Sequence, residues 1–481
     1  MTGMQGTIRS QGPLRSGKSI WEGPYILRKW AYFWVALTAF AWVTPYSFGL
    51  FICGGVALHG LRGTREAAEA LGILAFLIIL GKTSFSLGRW VVLFAVFGRM
   101  IWNSVSSGKS VPRFLYALLF FFAAVLMLSV LASRFPLVSG LKVTAFTLGV
   151  GVTMTTLYRT RHLSDYWLSW LFTLGLFILL AGVPMYGLGA GYGAVGAGYQ
   201  GILVDPQTYG PVAAAITALL TGLYFFRGRT PWLVLLCVGL GWVGVYLSLA
   251  RTALLALLLA GGIAAALGFA FKPETWASDF ARALGRPAVM VGLLAVLALG
   301  ALQWTAVQSS VESFLAKDDG SASVVQALER SRGELMSRSM ANFWEKPLTG
   351  IGFGAPSDPI GFAQRIERGP YGIPLSASVE KGFMPTAVLE ETGVVGAFLT
   401  VVLLVLLFAP VIRHPDPTLF WVMATCLLVN LGEMVFFSAG GMGFFLWFMM
   451  AFCHVAALRE GRGQQTRRGA RAPAHAGRKR R

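Results

Sequence analysis

The sequence predicts an all-α fold: a polytopic transmembrane helical bundle of about 12 to 14 spans, both termini cytoplasmic, with one large external loop containing short surface helices. Three observations predict it. Of 481 residues, 56% are hydrophobic and 13% charged, and the mean hydropathy is +0.65, outside the usual composition of a soluble domain. Apolar runs of membrane length recur from Ala31 to the neighbourhood of Leu458, rich in Leu, Val, Ala, Phe and Gly. In hydrocarbon every backbone polar group needs an internal partner, which a helix supplies. Basic residues crowd the two ends, with Arg9, Arg15, Lys18, Arg28 and Lys29 before the first span and a run from Arg459 to Arg481 after the last. The positive-inside rule places both ends in the cytoplasm and so requires an even number of crossings.

This division gives a cytoplasmic N-terminal tail at 1–30, transmembrane helices over 31–307, a large periplasmic loop at 308–386, C-terminal transmembrane helices over 387–458 and a disordered basic tail at 459–481. Helices are expected near 66–81, 84–107, 114–132, 138–158, 165–186, 208–226, 231–249, 251–271, 288–307, 387–410, 418–435 and 439–457. The stretch 31–58 reads either as one long helix or as a hairpin turning at Thr44-Pro45. Short basic clusters such as Arg62 to Arg65 and Lys109 to Arg113 mark cytoplasmic turns. Alternation then puts the turn before Arg251, the Gly-rich segment 185–210 and the large loop on one face, the outer one.

The formal charge of +19 would suggest nucleic acid in a soluble protein. Concentrated at the termini, it reads instead as attraction to anionic lipid headgroups, so the membrane is a partner and nucleic acid is not. Cys53, Cys237, Cys426 and Cys453 fall in separate apolar runs, which implies neither disulfides nor a zinc site. A cleavable signal peptide is not recognisable, and the first span is expected to direct insertion. A repeat with a period of about 20 to 50 residues is not evident, which gives an inverted-repeat transporter no support.

Chemistry is expected in the large loop. Arg332, Met336, Met340, Phe343 and Trp344 follow helical spacing, and Pro347 and the glycines at 350, 352 and 354 end that helix. Its apolar stripe suggests a helix lying along the membrane surface. Prolines and glycines in quick succession over 355–378 read as an irregular lid. A second helix begins at Pro385, breaks at Thr392-Gly393 and continues into the next span.

Arg251 interrupts an apolar run from Trp232 to Phe271, and an intramembrane arginine is a functional candidate because burying its charge is costly. Arg332 and Arg338 begin the surface helix, and guanidinium forks match phosphate oxygens. The plain alternative for Arg338 is a solvated pairing with Glu329 or Glu334. Glu380 precedes the membrane-entering helix, where a carboxylate can accept the proton of an attacking hydroxyl; a solvated loop acid is the other reading. Lys381 either neutralises Glu380 or touches phosphate, and Glu390 and Glu391 stand beside the helix break. The histidines map to cytoplasmic ends or the tail, and neither a D-x-D motif nor a His/Cys cluster marks a metal site. The Gly-rich run 186–199 allows close backbone approach to a sugar or phosphate, or serves as a flexible connection.

Three elements together resemble the O-antigen ligase and O-antigen or exopolysaccharide polymerase superfamily of bacterial membrane glycosyltransferases. They are Ser248-Leu-Ala-Arg251 at a helix turn, Arg332 followed by Asn342-Phe-Trp-Glu-Lys-Pro-Leu-Thr-Gly-Ile-Gly-Phe-Gly354, and Leu389-Glu-Glu-Thr-Gly-Val-Val-Gly396. The resemblance implies transfer of glycan from an undecaprenyl-diphosphate-linked oligosaccharide to an acceptor glycan, either a lipid-linked repeat or lipid A core. That transfer would occur at the periplasmic face of the bacterial inner membrane, without cofactor or metal. Envelope polysaccharide export machinery is a further implied partner. In that picture Arg251, Arg332 and Glu380 are catalytic, and Arg338, Lys381 and Glu391 bind diphosphate or sugar. Ligase-type members place a His-Asn pair where this chain has Gly382 and Phe383, which shifts the expectation toward a polymerase. A lipid-linked oligosaccharide flippase is the reading of another class.

Overall fold

The structure is a computed structural model. It describes residues 25–43, 48–81, 85–107, 112–193, 198–226, 232–271, short pieces between 277 and 290, 333–358, 366–368, 374–377, 381–438 and 440–471. Arg332, Glu380 and the expected span at 288–307 beyond Met290 lie outside the described residues.

Helices dominate. In chain order they are α1 (Arg28–Val43), α2 (Gly49–Arg62), α3 (Thr64–Ile79), α4 (Phe85–Ser107), α5 (Arg113–Ala132), α6 (Pro136–Arg159), α7 (Ser164–Gly182), α8 (Pro206–Phe226), α9 (Trp232–Leu247), α10 (Arg251–Phe271), α11 (Glu334–Glu345), α12 (Met384–Arg413), α13 (Pro417–Leu428) and α14 (Gly441–Arg471). Among the described residues seven helices are long and apolar enough to cross a membrane, and three shorter apolar ones accompany them. The chain is therefore a multi-pass membrane protein by length and composition. The 31–58 stretch carries two helices, α1 and α2, and the Thr44-Pro45 turn expected there lies outside the described residues.

The bundle has shielded columns and an outer ring. The apolar windows of α8 and α14 are 89% buried, whereas those of α5, α10 and α12 are about one-third buried or less. A helix that is apolar all round is stable inside a bundle or against lipid, and here the least buried windows are also the most apolar, as a lipid-facing position allows. Aromatic rings fill the core, with Trp34 against Phe76 and Trp170 on one side and Phe146, Phe436, Phe437 and Trp447 on another. The four cysteines are buried and free.

Three elements depart from expectation. The helix expected over 418–435 ends at Leu428 and tightens into a single 3-10 turn, because the Asn430 carboxamide donates to the Cys426 carbonyl and accepts from Val435 N, tying off the last turn. Part of the expected irregular lid is a two-stranded antiparallel ribbon, β1 (Ile366–Arg368) with β2 (Pro374–Ala377), in the register Ile366 to Ala377. β2 rests on α4 and α6, so the insertion folds back on the N-terminal half. The basic tail, expected to be disordered from 459, begins as a continuation of α14 through Arg471.

Candidate functional site

The site is built on the break in α12. Pro385 occupies the first turn, where its missing N–H costs nothing, and the helix runs to Thr392. Gly393 then adopts φ 62° and ψ −169°, a backbone conformation that favours glycine, and the helix resumes toward Arg413. A break of this kind strands the carbonyls of the preceding turn. Segment 347–354 satisfies two of them, with Ile351 N donating to Glu390 O at 2.8 Å and Gly352 N to Glu391 O at 3.1 Å, and its Pro347 carbonyl accepts from Val394 N of the resuming helix at 2.8 Å. The two motifs singled out in the sequence are thus paired backbone to backbone. Gly350, at φ 68°, allows the approach, since a Cβ there would lie 2.5 Å from Thr392 N.

Side chains lock the same junction. Glu390 is fully buried and accepts from Ser339 Oγ at 2.7 Å, Asn342 Nδ2 at 2.7 Å, Ser357 Oγ at 3.0 Å and Lys381 Nζ at 2.9 Å. Lys381 Nζ also reaches Glu391 Oε1 at 3.2 Å, and the second Glu391 oxygen accepts from Gly354 N at 2.8 Å. Buried charges persist only when paired and hydrogen-bonded, and both carboxylates here are. The spacing predicts for α11 an apolar stripe lying along the membrane surface; its buried residues are Ser339, Asn342 and Phe343, the two polar ones turned toward the Glu390 carboxylate, while Trp344 is 70% exposed.

From this junction the motif loop anchors to the bundle. Phe353 inserts between Phe121 of α5, Phe146 of α6 and Phe437. Lys142 of α6 donates to the Gly354 carbonyl at 2.7 Å, and Lys346 to the Ala132 carbonyl at the end of α5 at 2.8 Å. Arg134 pairs with Glu345.

Arg251 begins α10 and is half-buried, with an interaction partner of its own. Its neighbour Thr252 abuts the 432–438 turn, where a Cβ placed on Gly432 would fall 2.0 Å from Thr252 Cγ2. Two residues on, Met434 N donates to the Lys381 carbonyl at 3.3 Å. The Arg251 turn and the Lys381 cluster therefore share one end of the bundle, linked through this turn. The Gly-rich segment reaches that end too, with Tyr199 N donating to Leu247 O at 2.8 Å.

Not every predicted residue joins this cluster. Arg338 is half-exposed and pairs with Glu334 at 2.6 Å and Asp358 at 3.4 Å, the solvated arrangement that was its plain alternative. Lys381 and Glu391 are committed to each other and to the motif loop, which makes them holders of the junction. Lys142 was missed. A lone cation in the apolar run of α6 meets the criterion that singled out Arg251, and applying it evenly would have found Lys142. Among the described residues no group of three or more His, Cys, Asp or Glu side chains is placed to hold a metal ion.

Neither a protein-family model nor a curated protein matches this chain. What the arrangement can do chemically rests on its geometry: a rigid polar platform at one end of a membrane bundle, assembled from two distant motifs, with an arginine turn alongside.

Proposed function

We propose that this chain is a membrane glycosyltransferase of the O-antigen ligase and polymerase type. It transfers glycan from an undecaprenyl-diphosphate-linked oligosaccharide to an acceptor glycan at the periplasmic face of the bacterial inner membrane, polymerising exopolysaccharide or O-antigen repeat units. The observation that carries this reading is the backbone pairing of Ile351 and Gly352 with Glu390 and Glu391, next to the Arg251 turn. Motifs that resemble one enzyme superfamily lie far apart in sequence and meet at one end of the bundle.

In this reading an acceptor hydroxyl attacks the anomeric carbon of the donor sugar, and the bond from that carbon to the diphosphate oxygen breaks. Negative charge accumulates on the departing undecaprenyl diphosphate, where Arg251 and Arg332 hold it as always-charged bidentate donors. Glu380 takes the hydroxyl proton, and displacement from the opposite side inverts the anomeric centre. The buried Lys381–Glu390–Glu391 group ties the start of the membrane-entering helix to the motif loop, which supports a preorganised site.

The test is reconstitution of the purified protein with a lipid-diphosphate oligosaccharide, followed by analysis for lengthened glycan or for transfer to lipid A core. Chain lengthening supports the polymerase and transfer to lipid A core assigns a ligase. Absence of both, under conditions where an authentic polymerase is active, rejects the enzyme reading, and lipid-linked oligosaccharide crossing the bilayer unchanged would identify a flippase.

A further inference from the structure

The Gly-rich segment after α7 has no part in the chemistry above, yet it adjoins the Arg251 turn. A Cβ on Gly198 would fall 2.6 Å from the Ser248 carbonyl oxygen. Within the segment the rings of Tyr186 and Tyr199 lie parallel, 4.2 Å apart with 6° between planes. Tyr199 is fully buried, donates its hydroxyl proton to Gly182 O at 2.6 Å, and meets Tyr209 edge-on at 5.0 Å. Tyr186 is only half-buried, and residues 187–190 beside it are exposed. A fixed inner ring thus backs a partly open outer one.

The glycines here fall into two sets. Gly191 meets the Met185 carbonyl, Gly193 and Gly198 meet Pro206, and Gly201 has φ 57°, so packing or backbone conformation calls for glycine at each. A Cβ on Gly187 or Gly189 meets nothing within 4 Å. Steric need does not account for those two, and their effect is bare backbone and open space beside Tyr186. Residues 183–204 carry no charged side chain, so the segment offers a phosphate no cationic partner. An aromatic face with accessible amides matches the C–H face and hydroxyls of an uncharged sugar ring. The negative π face attracts polarised C–H groups, and the amides hydrogen-bond hydroxyls.

We propose that Tyr186, backed by Tyr199 and flanked by Gly187 and Gly189, is a saccharide-binding platform that holds a neutral sugar ring of the glycan beside the Arg251 turn. Its role in transfer rests on the glycosyltransferase reading, whereas its binding is measurable without any reaction. The experiment applies the full chain, in detergent micelles, to an array of neutral oligosaccharides without lipid or phosphate, and titrates the best binder. Wild type is expected to retain at least one neutral glycan. Tyr186→Leu and Gly189→Val should bind it about tenfold or more weakly, and Tyr186→Phe should match wild type. Leucine keeps apolar bulk without the π face, and valine enters open space without a clash, so a loss in both is not a folding failure. Retention of no neutral glycan, or equal binding by Tyr186→Leu, overturns the platform. Normal glycan binding with no transfer by wild type would count against the enzyme reading alone.

Discussion

Asn342 donates from Nδ2 to Oε1 of Glu390 over 2.7 Å, although 48 positions separate them. One carboxylate thereby joins the surface helix α11 to the broken helix α12, with Ser339, Ser357 and Lys381 completing its coordination. The consequence is a platform whose two halves cannot move apart without exposing a buried charge to apolar surroundings.

That arrangement predicts a large cost for removing the cation. Lys381→Met removes the cation that Glu390 and Glu391 share at side-chain exposures of 0% and 6%. Breaking a buried pair from one side typically costs about 3–5 kcal/mol. The unfolding midpoint in detergent should fall accordingly, and combining Lys381→Met with Glu390→Gln should cost less than the sum of the two.

Gly393→Ala should detach the motif loop. The added methyl would meet the Leu348 carbonyl oxygen at 2.3 Å, in a backbone conformation that costs alanine about 1–3 kcal/mol before any clash. Limited proteolysis would read this as new cleavage within 346–358, and unchanged protection would show that the break is not held by its glycine.

Arg251→Ala is expected to lower the transfer rate by about 10²–10³-fold with little change in unfolding midpoint. Arg251→Lys should recover part of that loss, since an ammonium supplies charge without the planar fork. Equal rates in wild type and both variants would remove Arg251 from the diphosphate site.

Glu380→Gln tests the base separately. The rate should drop by about 10²–10⁴-fold and the acid limb of the pH–rate profile should disappear, while donor KM stays near wild type. Glu391→Gln should instead destabilise the junction, because Glu391 is bound to Lys381 and Gly354 N. The two carboxylates thus separate by assay, one through rate and the other through stability.

Much of the scaffold was legible from local pattern. Apolar run lengths give the ends of α5, α6, α8 and α10 within about two residues, as expected where periodicity is long and strong. Pro385 and Gly393 announced the start and break of α12 through backbone chemistry that needs no tertiary information. What stayed hidden depends on distant partners. Nothing near Ser339 or Asn342 says that a carboxylate 48 or more positions away will turn a polar face inward. Lys142 likewise finds Gly354 across 212 positions. The early stop of α13 came from the Asn430 side chain, whose local hydrogen bonds outweigh an apolar run that would otherwise continue.

The four buried cysteines make the native chain a ready background for sidedness mapping. A thiol shut inside packed protein reacts slowly with water-soluble maleimides, so the unaltered sequence should stay dark in intact cells or spheroplasts. A single cysteine at exposed Trp344 would then report which compartment the platform faces, and one replacing exposed Arg65 would report the other end. Labelling at the first position and silence at the second, from outside an intact inner membrane, would orient the whole bundle with a pair of substitutions.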